Sequence, residues 1–173
     1  MLDQTPQWVA IFTSAHAEKS VTKQINEDLH IEAYLPIRHV LRKWSDRIKR
    51  VEVPLIPSYT FAKIRECDVW KVREVVGVAG FVRFKTSGIA VIPDREIDAM
   101  KKLVASEEEI HILNTNQLHN GAQVRVIAGD FEGMTGTIIR DCPDGNFSVQ
   151  ISNLNISLII NIEPTVLQSM VIE

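Results

Sequence analysis

From Ala122 onward the chain never runs far without a turn: AQVRVI, TGTIIR, FSVQI, SLIINI and TVLQSM are separated by AGDFEGM, DCPDGN and SNLN. Five apolar segments of strand length, with Gly, Asp and Asn between them, leave little room for a helix. They predict a small five-stranded all-β barrel over residues 121–173.

The residues before it have another texture. WVAIF (8–12) is rich in strand formers and stops at Thr13-Ser14, which can cap a helix. Ala17, Val21, Ile25 and Leu29 then recur every four residues among Lys, Glu and Gln, the apolar stripe of an amphipathic helix. IEAYLP returns to extended character and closes at Pro36. Pro54 and Pro57 stiffen the approach to SYTFAKI, whose alternation puts Tyr59, Phe61 and Lys63 on one face and Ser58, Thr60, Ala62 and Ile64 on the other. A second helix is expected over DVWKVREVVG, with Asp68 as N-cap and Gly77 as its stop. FVRF and IAVIP read as strands about a TSG turn, and PDREIDAMKKLVA as a third helix that opens on Pro93 and buries Ile97, Met100, Leu103 and Val104.

RHVLRKWSDRIKR (38–50) is dense in cations, with Val40, Trp44 and Ile48 spaced among them. No Gly or Pro interrupts it, so a helix stays open, but its place between an extended segment and PLIPSYTF favours a projecting β-arm. Arg38, Arg42, Lys43, Arg47, Lys49 and Arg50 form either a solvated charged face or a nucleic-acid-binding surface that meets phosphates. Trp44 either stacks on an exposed base or, the more ordinary fate, anchors the arm to the sheet.

The organisation that follows is α+β: an antiparallel sheet flanked by helices over residues 1–105, a polar linker over 106–120, and the barrel over 121–173. With 45% apolar residues in 173, each unit can bury a core. Charge divides at the same place. Residues 1–105 hold 17 Lys and Arg against 13 Asp and Glu, and 106–173 hold 2 against 9, so a net charge of −3 conceals +4 and −7. The first unit is able to meet nucleic acid, whereas the second would repel a phosphate backbone.

Other classes find no support. No apolar run approaches the length of a membrane span, and MLDQTPQW has neither a basic nor an apolar signal region, so a cytoplasmic protein without membrane contact is expected. Cys67 and Cys142 stand far apart with no CxxC and read as reduced thiols. His16, His30, His39, His111 and His119 show no HxxxH or HExxH spacing, and there is neither GxxxxGK[ST] nor GxSxG. No enzyme, metal or cofactor is expected.

VRVIAGDFEGMTGTI (124–138) runs a strand into a tight loop in which Gly129 and Gly133 can supply left-handed backbone, Phe131 can plug the barrel end and Gly136 lets the next strand begin close by. This resembles a KOW motif, with Asp130 where that family usually has proline. WVAIFTSAHAEKSV, AYLP, PLIPSYTFAKI, VVGVAGFVRF and AVIPDREIDAMKKL follow the order and spacing of the domain that precedes KOW in the NusG family of bacterial transcription elongation factors, which usually has Gly or Asn where this chain has Ser58. The long basic arm and VIPDREI are similar to the specialised RfaH-like and capsule-operon (UpxY-like) members.

The resemblance implies a transcription elongation and antitermination factor acting as a monomer. Its N-terminal domain would bind the clamp helices of the largest RNA polymerase subunit through an aromatic pocket lined by Phe12, Tyr59, Phe61 and Phe81. From pattern alone, Tyr59 and Phe61 would be assigned to the core, and Phe12 and Phe81 fit either place. The resemblance also implies that the arm meets non-template or upstream DNA, and that the KOW unit recruits a small-subunit ribosomal protein or Rho. The alternative is an RNA-binding or ribosome-associated KOW protein, which the acidic second unit disfavours.

Overall fold

β1 (Gln7–Thr13) is apolar on both faces and buried from Trp8 to Ile11, and a strand of that kind belongs in the middle of a sheet. The computed structural model describes residues 4–44, 46–84, 88–106, 110–114, 121–138, 146–151, 154, 156–162 and 164–170. It divides into two units, Met1–Pro93 and Asp94–Glu173.

In the first unit β1 leads to α1 (Glu18–Glu27), β2 (Ala33–Tyr34), β3 (Ile37–Lys43), β4 (Ile48–Pro54), β5 (Tyr59–Ile64), α2 (Val69–Arg73), β6 (Val78–Phe81), β7 (Arg83–Phe84), β8 (Gly88–Ile89) and β9 (Val91–Ile92). The main sheet runs β2-β5-β1-β6, with β9 also on β1, and its pairs are antiparallel. Val9, Ile11, Ala62 and Ile64 face α1 and α2, where Val21, Ile25 and Val72 complete a fully buried cluster. The four-residue stripe expected of the first helix is the stripe that packs there. Thr22 and Thr60 join helix to sheet through their hydroxyls, 2.7 Å apart.

The basic segment is a two-stranded arm. β3 pairs with β4 from Ile37↔Pro54 to Lys43↔Ile48, and Trp44 N–H donates to the Arg47 carbonyl at 2.8 Å. Lys19 Nζ, 2.8 Å from Glu52 Oε2, ties the arm's root to α1.

The second helix is shorter than expected. A 3₁₀ turn (Glu66–Asp68) precedes α2, which ends at Arg73, and the Asp68 side chain turns back to Arg65 instead of capping α2. Gly77 follows with φ +98, and a Cβ there would press on Ala17 and Val21 at 3.0 Å. IAVIP is broken at Ala90, whose N–H bonds the Val82 carbonyl, so β8 pairs with β7 while β9 joins β1.

The second unit holds α3 (Asp94–Ala105), β10 (His111–Asn114), β11 (Gln123–Val126), β12 (Thr135–Ile138), β13 (Asn146–Ile151), β14 (Ile156–Asn161) and β15 (Leu167–Ser169). α3 buries Ile97, Met100 and Leu103, with Val104 half-buried. The five expected strands lie in one antiparallel sheet of order β10-β14-β13-β12-β11-β15. Its sixth strand corrects the reading of 106–120 as linker throughout, because His111–Asn114 pairs with Ile156–Ile159. The glutamate run, His119, Arg140 and Cys142 lie outside the described residues.

Candidate functional site

Opposed residues of an antiparallel pair share a face, so the β1–β5 register decides which aromatics meet. Phe12 opposes Tyr59, Ala10 opposes Phe61 and Trp8 opposes Lys63. On the next strand Tyr34 opposes Phe61. One face therefore carries Trp8, Phe12, Tyr34, Tyr59 and Phe61 in a row. The Phe12 and Tyr59 rings meet edge to face, centroids 4.9 Å apart at 84°.

Depth varies along that row. Phe12 is 44% exposed and Tyr59 half-buried, whereas Phe61 is fully buried. Burial pushes the Tyr34 phenol up to about 12 and raises Tyr59 as well, so both present neutral hydroxyls near pH 7. Lys63 lies 5.9 Å from the Trp8 ring centroid, a cation held against an aromatic face.

Phe81 is not on this face. It opposes Ile11, one residue away from Phe12, which opposes Gly80, and it packs against the helix-side cluster. Of the four aromatics expected to line one surface, Phe12 and Tyr59 form it, Phe61 lies buried in the same row, and Phe81 belongs to the opposite side of the sheet. Trp8 and Tyr34 also stand in this row, although the resemblance does not include them. Period-two spacing from Phe12 reaches Trp8, but only the β2–β5 register brings in Tyr34.

The turn before Tyr59 fixes its position. Pro57 and Ser58 are the central residues between Ile56 and Tyr59, whose N–H points to the Ile56 carbonyl at 3.4 Å. Ser58 has φ +62, the left-handed region that a turn of this form reserves for glycine or asparagine. Two bonds hold it there: its N–H donates to Glu18 Oε1 at 2.7 Å and its carbonyl accepts from Thr13 N–H at 2.9 Å. Glu18 is 5% exposed, so this carboxylate is committed to the turn. β1 shifts register between Phe12 and Thr13, leaving Thr13 Oγ1 buried without a hydrogen-bond partner among the described residues.

On the arm, Arg38, Arg42, Lys43, Arg47, Lys49 and Arg50 are all exposed. Trp44 is 57% exposed and does not anchor the arm, which corrects the more ordinary expectation for it; Leu41 and Ile48 are exposed at 74% and 66%.

In the second unit the glycine loop has the expected form. Gly129 and Gly133 take φ +85 and +84, Gly133 N–H donates to the Val126 carbonyl, and Val126 N–H to that of Met134. Phe131 is buried at 9%, and Gly136 opposes Val124 in the ladder. Glu132 N–H donates to the Gly129 carbonyl, which puts Asp130 at the first central position of a turn, where proline is favoured. A Cβ at Gly121 would run into the Ile138 carbonyl, a close approach with no local mark in the sequence.

Among the described residues no group of three or more His, Cys, Asp or Glu converges as a metal site, and no helix is long and apolar enough to cross a membrane.

The family model described as "NusG: Transcription termination factor nusG" matches residues 6–101. Among solved structures the chain is similar to one described as "Domain interaction in Thermotoga maritima NusG", at 20% identity and a TM-score of 0.53, covering 95% of this chain and 97% of that one. An MjSpt4:Spt5 complex aligns at 17% identity with a TM-score of 0.32, over 94% of this chain and 95% of that one. No curated protein matches the sequence.

Proposed function

The chain belongs to the NusG family of transcription elongation factors, and on that premise we propose that its N-terminal domain, residues 1–105, binds the clamp helices of the largest RNA polymerase subunit through Phe12 and Tyr59. The observation that carries this reading is the edge-to-face pair at 4.9 Å, with Phe12 44% exposed beside a turn held by a buried carboxylate. Two aromatic rings on a sheet, one presented and one braced, are suited to receive a helical hairpin through a few buried anchors. Phe61 supports the pair from within the same row.

Such a factor works by binding energy alone. A ligand that contacts the closed clamp better than the open one shifts the polymerase toward the closed, processive state and reduces pausing. Residues 121–173, as a KOW domain, recruit a protein, either a small-subunit ribosomal protein or Rho. With 2 Lys and Arg against 9 Asp and Glu in 106–173, a protein partner suits it better than RNA. The cationic arm meets non-template or upstream DNA. The protein acts in the bacterial cytoplasm as a monomer, and its arm and VIPDREI block favour an operon-specific antitermination role in surface polysaccharide expression.

The test is binding of the full chain to a purified clamp-helix fragment, beside a Phe12→Ala, Tyr59→Ala variant checked for folding. Loss of binding in the folded variant supports the reading, and unchanged binding removes it.

A further inference from the structure

The two faces of the arm differ. Pairing of Leu41 with Arg50 and of Lys43 with Ile48 sets these four side chains on one face, which also carries His39 and Glu52. The two apolar residues lie on one diagonal of this square and the two cations on the other, with roughly 7–8 Å between diagonal neighbours. Leu41 is 74% exposed and Ile48 66%, so the described residues leave most of both uncovered. On the opposite face Arg42 and Lys49 oppose each other, and Val40 and Val51 beneath them are half-buried.

Single exposed apolar residues are ordinary on a protein surface. Two neighbours on a projecting two-stranded ribbon are another matter, because such a ribbon is marginal by itself and gains stability when they are covered. Phosphates would suit the cations of this face but would leave Leu41 and Ile48 with nothing, since apolar surface is stabilised only by leaving water. Over Ile37–Pro54 six Lys and Arg stand against two acids, which favours carboxylates on the occupant and sets a second arm against it. The face is also distinct from the aromatic row. At its root Glu52 is bound to Lys19 of α1, and α1 packs on the side of the sheet opposite Phe12 and Tyr59.

We propose that the Leu41–Ile48 face of the arm is a docking surface for an acidic protein partner, one that sets carboxylates against Lys43 and Arg50 and apolar side chains against Leu41 and Ile48. The charges bring the partner in and fix its orientation, and the two apolar side chains supply the buried anchors. This goes beyond the DNA contact proposed for the arm and does not depend on it, since the opposite face keeps its own cations.

The test titrates the full chain with a dye-labelled synthetic peptide whose helix carries glutamate and leucine on one face, and with the same peptide in which serine replaces leucine. The leucine peptide is expected to bind at least about tenfold tighter, the factor that burial of one such side chain supplies. Leu41→Thr, Ile48→Thr keeps residues that favour strands and removes the apolar surface. It should weaken the leucine peptide at least about tenfold and leave the urea midpoint unchanged. Lys43→Glu should weaken it too, by a factor that shrinks as salt rises. Equal binding of the two peptides, binding of neither, or indifference to Leu41→Thr, Ile48→Thr would each overturn the proposal. Tighter binding to vesicles of anionic phospholipid would overturn it in favour of a membrane, and parent dimers that vanish in Leu41→Thr, Ile48→Thr would do so in favour of a second copy of the chain. DNA binding by that variant should match the parent's; a parallel loss would make both faces one site and overturn the proposal as well.

Discussion

Glu18 Oε1 lies 2.7 Å from the backbone nitrogen of Ser58, a buried helix carboxylate bonded to a left-handed turn residue forty positions away. A non-glycine residue at φ +62 costs about 1–2 kcal/mol, so this bond offsets a strain that the sequence itself introduces. Ser58→Gly relieves the strain but loosens the unfolded chain, and the net expectation is a gain of about 0.5 kcal/mol. Glu18→Ala leaves the Ser58 N–H without its acceptor and should cost about 1–3 kcal/mol. Glu18→Gln keeps a carbonyl oxygen and should cost less. Denaturant unfolding of the three variants checks the order; Glu18→Ala as stable as the parent would show that the bond does not hold the turn.

Thr13 gives a prediction of opposite sign. Its hydroxyl oxygen is buried and unpartnered among the described residues, and valine has nearly the same shape without that group. Thr13→Val should be neutral or stabilising by up to about 1 kcal/mol, the reverse of an ordinary core substitution. A midpoint lowered in urea would contradict this.

Asp68 makes stability depend on acid. Burial by itself would raise its carboxyl, but hydrogen bonds from the Arg65 side chain and backbone N–H, with Lys71 nearby, bring it below the ordinary carboxylate value. A depressed folded value means that the stabilisation is present above about pH 4 and is lost as pH falls through the folded value. Asp68→Asn should lose about 1–3 kcal/mol at neutral pH and flatten the acid limb of the stability curve. An acid limb of unchanged steepness would assign the acid sensitivity elsewhere.

Much of this arrangement is legible in the sequence, and what is not has a physical reason. The stripe Val21–Ile25, the alternation of SYTFAKI and the loop glycines are local patterns, and each element formed where its pattern lay. The arm formed as strands although nothing in its composition forbids a helix, because each residue of Ile37–Lys43 finds a partner in Ile48–Pro54. β10 is not recognisable from its own residues, because its partner, β14, lies more than forty residues downstream, and pairing at that distance leaves no local mark. It is the family resemblance that groups Phe81 with Phe12, and a resemblance carries no register. The β1–β6 register sets Phe81 against Ile11, and a single residue of offset moves a side chain to the opposite face. Phe61 shares the face of Tyr59, yet periodicity reports face and not depth. Ser58 could be seen as a departure from Gly or Asn, but the positive φ that makes those residues suitable, and the Glu18 bond that lets serine replace them, exist only in the folded turn.

The central claim is that Phe12 and Tyr59 together form a binding surface for the polymerase clamp. The most direct measurement is the affinity of the full chain for a clamp-helix fragment in the parent, in Phe12→Ala, Tyr59→Ala, and in Phe81→Ala as a control on the opposite face. The double variant is expected to keep its fold and to lose binding at least about tenfold, as loss of an aromatic anchor does. Phe81→Ala should lose stability and bind normally wherever it is folded. A folded Phe12→Ala, Tyr59→Ala protein that binds the fragment as tightly as the parent would contradict the account.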